Sequence, residues 1–170
     1  MTDIAARRAA LFALFDRLGI ATTTHEHEAV FTVAESQHVK DSIPGGHTKN
    51  LFLKDKKSRL FLVVALGSAV IDLKRLHEVI GASGRLSFGS GELLEEVWGV
   101  KPGSVTPFGA TCDTEQRVSV VLDAAMMEHE ILNYHPLENT ATTSIMRQDL
   151  VTFLRATGHE PRILPCSQPA

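Results

Sequence analysis

The stretch GGHTKNLFLKDKKSRLFLVVAL, residues 45–66, constrains the fold of this chain more than any other. Two apolar, β-rich runs at residues 50–54 and 58–66 flank the polar turn 55–57, a pattern that predicts a hairpin. The pair Gly45 and Gly46 sets Lys49 between a glycine turn and an apolar strand. From there an ammonium can project into a cleft and hold a phosphate or carboxylate as a point charge. A solvated lysine is the plainer alternative. The segment is not a P-loop, because the GxxxxGK[ST] order is missing and Asn50 stands where Ser or Thr would hold magnesium.

Around the hairpin, periodicity predicts alternating helices and strands. Residues 5–18 form an amphipathic helix with Leu11, Leu14, Phe15 and Leu18 inward and Arg7, Arg8 and Arg17 facing solvent; Gly19 stops it. A Thr-rich strand follows at 20–26. Thr32 and Glu35 make a capping box for a short helix at 33–39. Asp72 caps a helix running through Ile80 and closed by Gly81, and a second helix starts at Ser90 or Gly91 and ends near Val97. Strands are expected at 86–88, 117–122, 130–134, 140–145 and 162–164, with a helical turn at 124–127 and a helix at 146–157. The result is an α/β fold, a mixed sheet with surrounding helices, in one domain over residues 1–170.

Seventeen basic and twenty acidic side chains leave a formal net charge of -3. That balance argues against a broad nucleic-acid field and a DNA partner, while a local contact with an RNA end remains open. Cys112 and Cys166 make neither a disulfide framework nor, alone, a metal site, and they fit a reducing, cytoplasmic setting. No leader pattern is read at the start. The apolar run at 60–66 is too short to cross a membrane.

Two further polar islands carry candidate chemistry. The first is KPGSVTPFG, residues 101–109, where Gly103, Ser104 and Pro107 suggest a turn with converging backbone N–H groups, able to hold an anion or oxyanion; an ordinary tight loop is the alternative. The second is NYHPLENTATT, residues 133–143. Pro136 keeps His135 extended, suiting an imidazole that donates to a carbonyl, orients water or acts as a base; a structural strand end is the alternative. Asn139, Thr140, Thr142 and Thr143 add neutral hydrogen-bonding groups. His25 and His27 would share one face of a strand, but no third metal ligand stands at a recognisable spacing. There is no G-x-S-x-G elbow, and neither cysteine sits in a nucleophile pattern, so an esterase built here lacks an evident protein nucleophile.

Taken together, HEHEAVFTVAES, GGHTKNLFLKDKK, KPGSVTPFG and HPLENTATTSI resemble the YbaK-like aminoacyl-tRNA deacylases, relatives of the editing domain inserted in bacterial prolyl-tRNA synthetases. The resemblance covers nearly the whole chain. It is nearest to the freestanding branch that hydrolyses alanine mischarged on proline tRNA. It implies a mixed α/β fold with a curved central sheet. Lys49, Gly103 and His135 then serve the reaction, with Phe31, Thr32, Asn50, Ser104, Pro107, Asn139 and Thr140 binding substrate. Asn50 fits the alanine-type branch, where the cysteine-type branch has threonine. His27 falls at a position often histidine in the family, with a structural or rim role. Glu138 departs from the apolar residue expected after HPL. The implied mechanism uses water and the neighbouring ribose hydroxyl, with no metal and no cofactor. The implied partner is the acceptor end of proline tRNA, met by the N-terminal helix and Lys54, Lys56 and Lys57, unless that lysine cluster is only a solvated turn. Prolyl-tRNA synthetase or an elongation factor is a further candidate partner. A deacylase for cysteinyl-tRNA(Pro) or another small mischarged residue, and a noncatalytic RNA-end or synthetase-binding module, are the competing readings.

Overall fold

A computed structural model describes residues 4–29 and 41–168. Among them, helix α1 (Ile4–Arg17) leads through Gly19, at φ 70°, into β1 (Thr22–Glu26). The hairpin β2 (Gly46–Lys54) and β3 (Leu60–Leu66) follows. Then come α2 (Leu76–Ile80), β4 (Ser87–Phe88), α3 (Gly91–Trp98), β5 (Val118–Asp123), β6 (Ile131–Tyr134), β7 (Ala141–Met146), α4 (Arg147–Ala156) and β8 (Arg162–Leu164). Short 3-10 turns cover Pro102–Ser104, Pro107–Thr111 and Met126–Glu128. The helix expected at 33–39 lies outside the described residues, as do Phe31 and Thr32.

The described strands make one mixed sheet in the order β1-β7-β6-β2-β3-β5-β8, with β4 paired to β2. β2 is the hinge of this arrangement. Its first two residues pair parallel with β6, through Gly46↔Leu132 and His47↔Asn133, and Thr48 onward pairs antiparallel with β3. β3, β5 and β8 run parallel to one another. Alternation along the strands sends side chains to two faces. One face carries Phe52, Leu62, Val64, Leu122, Leu132 and Ile145 into the larger core under α1, α3 and α4. Phe15, Phe108 and Phe153 close that core as three rings with centroids 5.3–5.5 Å apart. Leu53, Phe61, Val63 and Val121 point the other way, into a smaller cluster beneath α2.

Two local expectations change. α2 is one turn and a half, preceded by Arg75 with no side-chain cap. Asp72 instead caps a turn, accepting from the Lys74 amide at 3.1 Å, because its carboxylate is satisfied before the helix begins. Arg7 and Arg8 are half-buried rather than solvent-facing, because each finds a polar partner across α1; Arg17 is exposed as expected.

The hairpin turn is held by Asp55, which is buried and accepts from the Lys57, Arg59 and Ser83 amides and the Arg59 guanidinium at 2.9–3.0 Å. Burial acts to raise its pKa, but the Ser83 and Arg59 donors and then the Lys57 amide outweigh it and hold the carboxyl at about 2. A carboxylate depressed on folding stabilises the native state above its ordinary value, and that stability is lost as pH falls through the folded value. Urea midpoints should therefore fall between pH 3.8 and about 2 more steeply in the native chain than in Asp55→Asn. Parallel pH curves for the two proteins would contradict this account.

Candidate functional site

The two faces of the sheet differ in chemistry on its β1-β7-β6-β2 side. Leu132 and Tyr134 enter the large core, so Asn133 and His135 point to the opposite face. Phe52 likewise fixes His47 and Lys49 on that opposite face, and Ile145 does so for Thr142 and Ser144. β1 adds His25, paired with Thr142, and His27 continues the ladder through its amide to the Thr140 carbonyl at 2.9 Å. This side of the face opposite the large core is thus lined by polar side chains, of which Asn133 and Thr142 are buried.

Lys49 and His135 each lie two residues beyond the last β2–β6 pair, His47↔Asn133. Register carries them to the same side at the point where the strands part. Lys49 Nζ donates to the Ala69 carbonyl at 2.5 Å. Ala69 also lines a cleft of about 600 Å³ bounded by Leu66, Val70, Asp123 and Glu128 at the carboxyl ends of β3 and β5. Asn50 falls on the core side, opposite Val64, with its Oδ1 buried and without a partner.

The glycines before Lys49 have a geometric cause. Gly45 has φ 106°, and a Cβ there would come within 2.8 Å of Ile131 Cγ2 and 3.0 Å of the Ile131 carbonyl. Only glycine lets the chain enter β2 this tightly against β6. The entry is pinned by Asn133, which is buried. Its Nδ2 donates to the Pro44 and Gly46 carbonyls at 3.1 and 3.3 Å, its Oδ1 accepts from Ser144 at 2.5 Å, and its carbonyl accepts from Thr48 at 2.6 Å. This residue was not among the sequence-derived candidates, although a polar side chain inside the apolar run ILNY was the available signal.

The histidine hydrogen bonds assign tautomers. His135 Nδ1 lies 3.1 Å from the Ala141 carbonyl, which can only accept, so Nδ1 carries the proton and the neutral ring offers Nε2 as a lone pair. Burial pushes the His135 pKa down, opposed by that bond and aided by repulsion from His27. His135 is therefore poised to accept a hydrogen bond or proton at Nε2. His27 donates from Nδ1 to the Glu28 carbonyl and accepts at Nε2 from the Thr142 hydroxyl, both at 2.8 Å. With both nitrogens engaged it offers no lone pair to a metal, and among the described residues no three His, Cys, Asp or Glu side chains group as ligands.

The loop after α3 is built from inside. Trp98 is fully buried and its indole N–H donates to the Thr106 carbonyl at 2.6 Å; a Cβ at Gly109 would overlap that indole. Pro107 is buried and Phe108 enters the aromatic core. Ser104 is buried, its amide donating to the Lys101 carbonyl at 2.8 Å. The expected nest takes a different form: Pro102–Ser104 is a 3-10 turn in which Gly103 has no positive φ. Gly103 is exposed, and a Cβ on it would meet only Asn139 Nδ2, at an ordinary 3.7 Å. The second and third polar islands therefore meet at Gly103 and Asn139. The loop bearing Asn139 turns at Leu137, which is buried at φ 73°, and Thr140 donates to Glu138.

This construction coincides with a known family. Residues 27–153 match the aminoacyl-tRNA editing domain, and the chain belongs to that family. Among its relatives, the prolyl-tRNA synthetase associated domain-containing protein 1 of Bos taurus is 40% identical over 161 residues, covering 92% of this chain and 94% of the relative. The prolyl-tRNA editing protein ProX of Acetoanaerobium sticklandii is 36% identical over 151 residues, covering 88% and 92%. The fold is shared with a solved structure described as a candidate trans-editing enzyme for prolyl tRNA synthetase, at a TM-score of 0.72 over 99% of both chains with 19% identity. Among the described residues no helix is long and apolar enough to cross a membrane.

Asn133→Ala removes three side-chain hydrogen bonds, of which the one to the Gly46 carbonyl is buried, so it should lower unfolding free energy by about 2–4 kcal/mol. Urea unfolding reads this directly; a loss under about 0.5 kcal/mol would show that β2 enters beside β6 without this side chain.

Proposed function

We propose that this chain hydrolyses the ester joining alanine to proline tRNA, acting in trans as a freestanding editing domain over residues 1–170. The observation that carries the reading is the shared register of Lys49 and the Nε2-accepting His135 where β2 and β6 part. Family membership and the likeness to a prolyl-tRNA editing protein support it.

In this reading Lys49 leaves the Ala69 carbonyl to hold the phosphate or ester of the terminal adenosine. Water attacks the ester carbonyl, placed by the neighbouring ribose hydroxyl and by His135 Nε2, which takes up its proton. The C–O bond to the ribose breaks, the ribose oxygen is reprotonated, and free alanine and uncharged tRNA leave. Gly103 lacks a side chain, which leaves the loop backbone open to the ester, while Ser104 and Pro107 hold the turn and Asn139 and Thr140 border it. Phe31 and Thr32 are the remaining candidates for substrate binding, whereas Asn50 faces the core side of β2, away from Lys49. Positioning plus fixed donors supplies the rate. A thiol nucleophile is not needed, and Cys166 is unsuited to the role: burial, then the Asp123 carboxylate, pushes it up to about 12. Proline is refused by size, an easier task than refusing a smaller residue, for which one methylene yields only about 1–3 kcal/mol. Exposed Lys56 and Lys57, with Lys54, offer the acceptor stem a basic hairpin tip. Prolyl-tRNA synthetase or an elongation factor would hand over the charged tRNA, and such a role implies work in the cytoplasm.

Deacylation of alanine-, cysteine- and proline-charged proline tRNA by the purified protein tests this. Alanine should be released selectively, and Lys49→Ala should slow release about a hundredfold or more. Faster cysteine release would make this a cysteine-type deacylase; no release from any of the three would make it a noncatalytic RNA-end module.

The pH profile gives a second check. His135 must be neutral to accept at Nε2, and its pKa is lowered, so the rate should hold near neutrality and fall in acid with a midpoint below 6.5. His135→Gln should remove that limb. An unchanged acid limb in the variant would assign it elsewhere.

A further inference from the structure

The two loops that meet at Gly103 and Asn139 are both tied to one point of α1. Arg7 Nη1 donates to the Gly99 carbonyl, the cap from which the 101–107 loop departs. Gly99 has φ 73°, and a Cβ there would overlap the Arg7 guanidinium, so glycine makes room for the contact. The adjacent Arg8 bonds Glu26 at the end of β1 and lies 3.5 Å from Glu138 in the other loop, with its guanidinium 5.5 Å from the centre of the Phe12 ring. Glu138 in turn accepts from Thr140, so both of its oxygens are committed. Glu138 is flanked by the left-handed Leu137 and by Asn139.

We propose that Arg7 and Arg8 form a two-armed brace that sets the gap between Gly103 and Asn139, making Arg8 and Glu138 positioning residues for the ester hydrolysis described above. The inference rests on that reading for its kinetic consequence, but not for its structural one. Each arm reaches a different loop, and neither loop pairs with the other through regular secondary structure. α1 is thus the shared reference that keeps them in register. Arg8 spans two carboxylates with one planar fork, a geometry that a lysine ammonium does not reproduce. Glu138, unexpected at its position by family resemblance, acquires a role as the anchor of the second arm. Misplacement by about 1 Å can cost up to a hundredfold in rate, so a small slackening of the brace is enough to be measured.

The experiment combines single-turnover deacylation of alanine-charged proline tRNA by excess enzyme with NMR of the Asn139 side-chain amide and the Gly103 backbone amide in the free protein. Arg8→Ala and Glu138→Gln should each slow the single-turnover rate by about tenfold, with half-saturation changed less than about twofold. The double variant should be no slower than the slower single one, and Arg8→Lys should not rescue. Asn139 should shift in both single variants, while Arg7→Ala should shift Gly103. Circular dichroism at the assay temperature separates these effects from unfolding. Additive losses, unchanged rates, or a loss equal to the unfolded fraction would overturn the proposal. If the native protein releases no amino acid, the proposed function fails and the amide shifts alone decide: unmoved Asn139 and Gly103 signals would sink the brace as well.

Discussion

The parting of β2 from β6 is the constraint on which the site depends. Only Gly46 and His47 pair there in parallel, a contact too short to hold two strands by backbone bonds worth about 1 kcal/mol each. The buried amide of Asn133 supplies the rest, joining the β2 entrance on one side to β7 on the other. The parallel pairing ends immediately afterwards, so Lys49, still paired with Ala65 of β3, and His135 leave the β2–β6 seam on the same face of the sheet. A longer ladder would have filled this space with main chain.

The same economy shapes the surrounding chemistry. His27 spends both ring nitrogens on structure, and His135 spends one. Two imidazoles that look alike in the sequence thus differ in what they can offer: each meets a carbonyl at Nδ1, but only His27 also meets a hydroxyl, that of Thr142, at Nε2. The loop at 101–107 is exposed at its tip but rooted in the core, since Trp98 grips Thr106 and Phe108 joins the aromatic triad. Its position is therefore governed by packing several residues from the point where a substrate would lie.

Much of this was legible in the sequence. The hairpin, the run of short strands, α1 with its Gly19 stop and α4 all follow from periodicity and turn residues, and the family from the four motifs. The three polar islands were visible as departures from apolar patterning. What local pattern could not supply was long-range pairing. The contacts of Arg7 with Gly99 and of Arg8 with Glu138 join residues far apart in the chain, and periodicity alone sends both arginines to solvent. Asn133 was hidden for a related reason: its value lies in carbonyls brought by another strand. The capping expectation at Asp72 failed because aspartate serves a turn as readily as a helix.

Lys49 meets the Ala69 carbonyl in a half-buried setting. An ammonium held this way has already given up part of its hydration shell. Under the proposed function, a phosphate reaching this lysine would replace one acceptor with another instead of stripping a fully solvated ion. The main-chain oxygen left behind is neutral, so it competes weakly with an anion and readily recaptures the cation when the anion leaves. In the proposed reaction the lysine would cycle between two acceptors of unequal strength, an arrangement that favours turnover over tight retention.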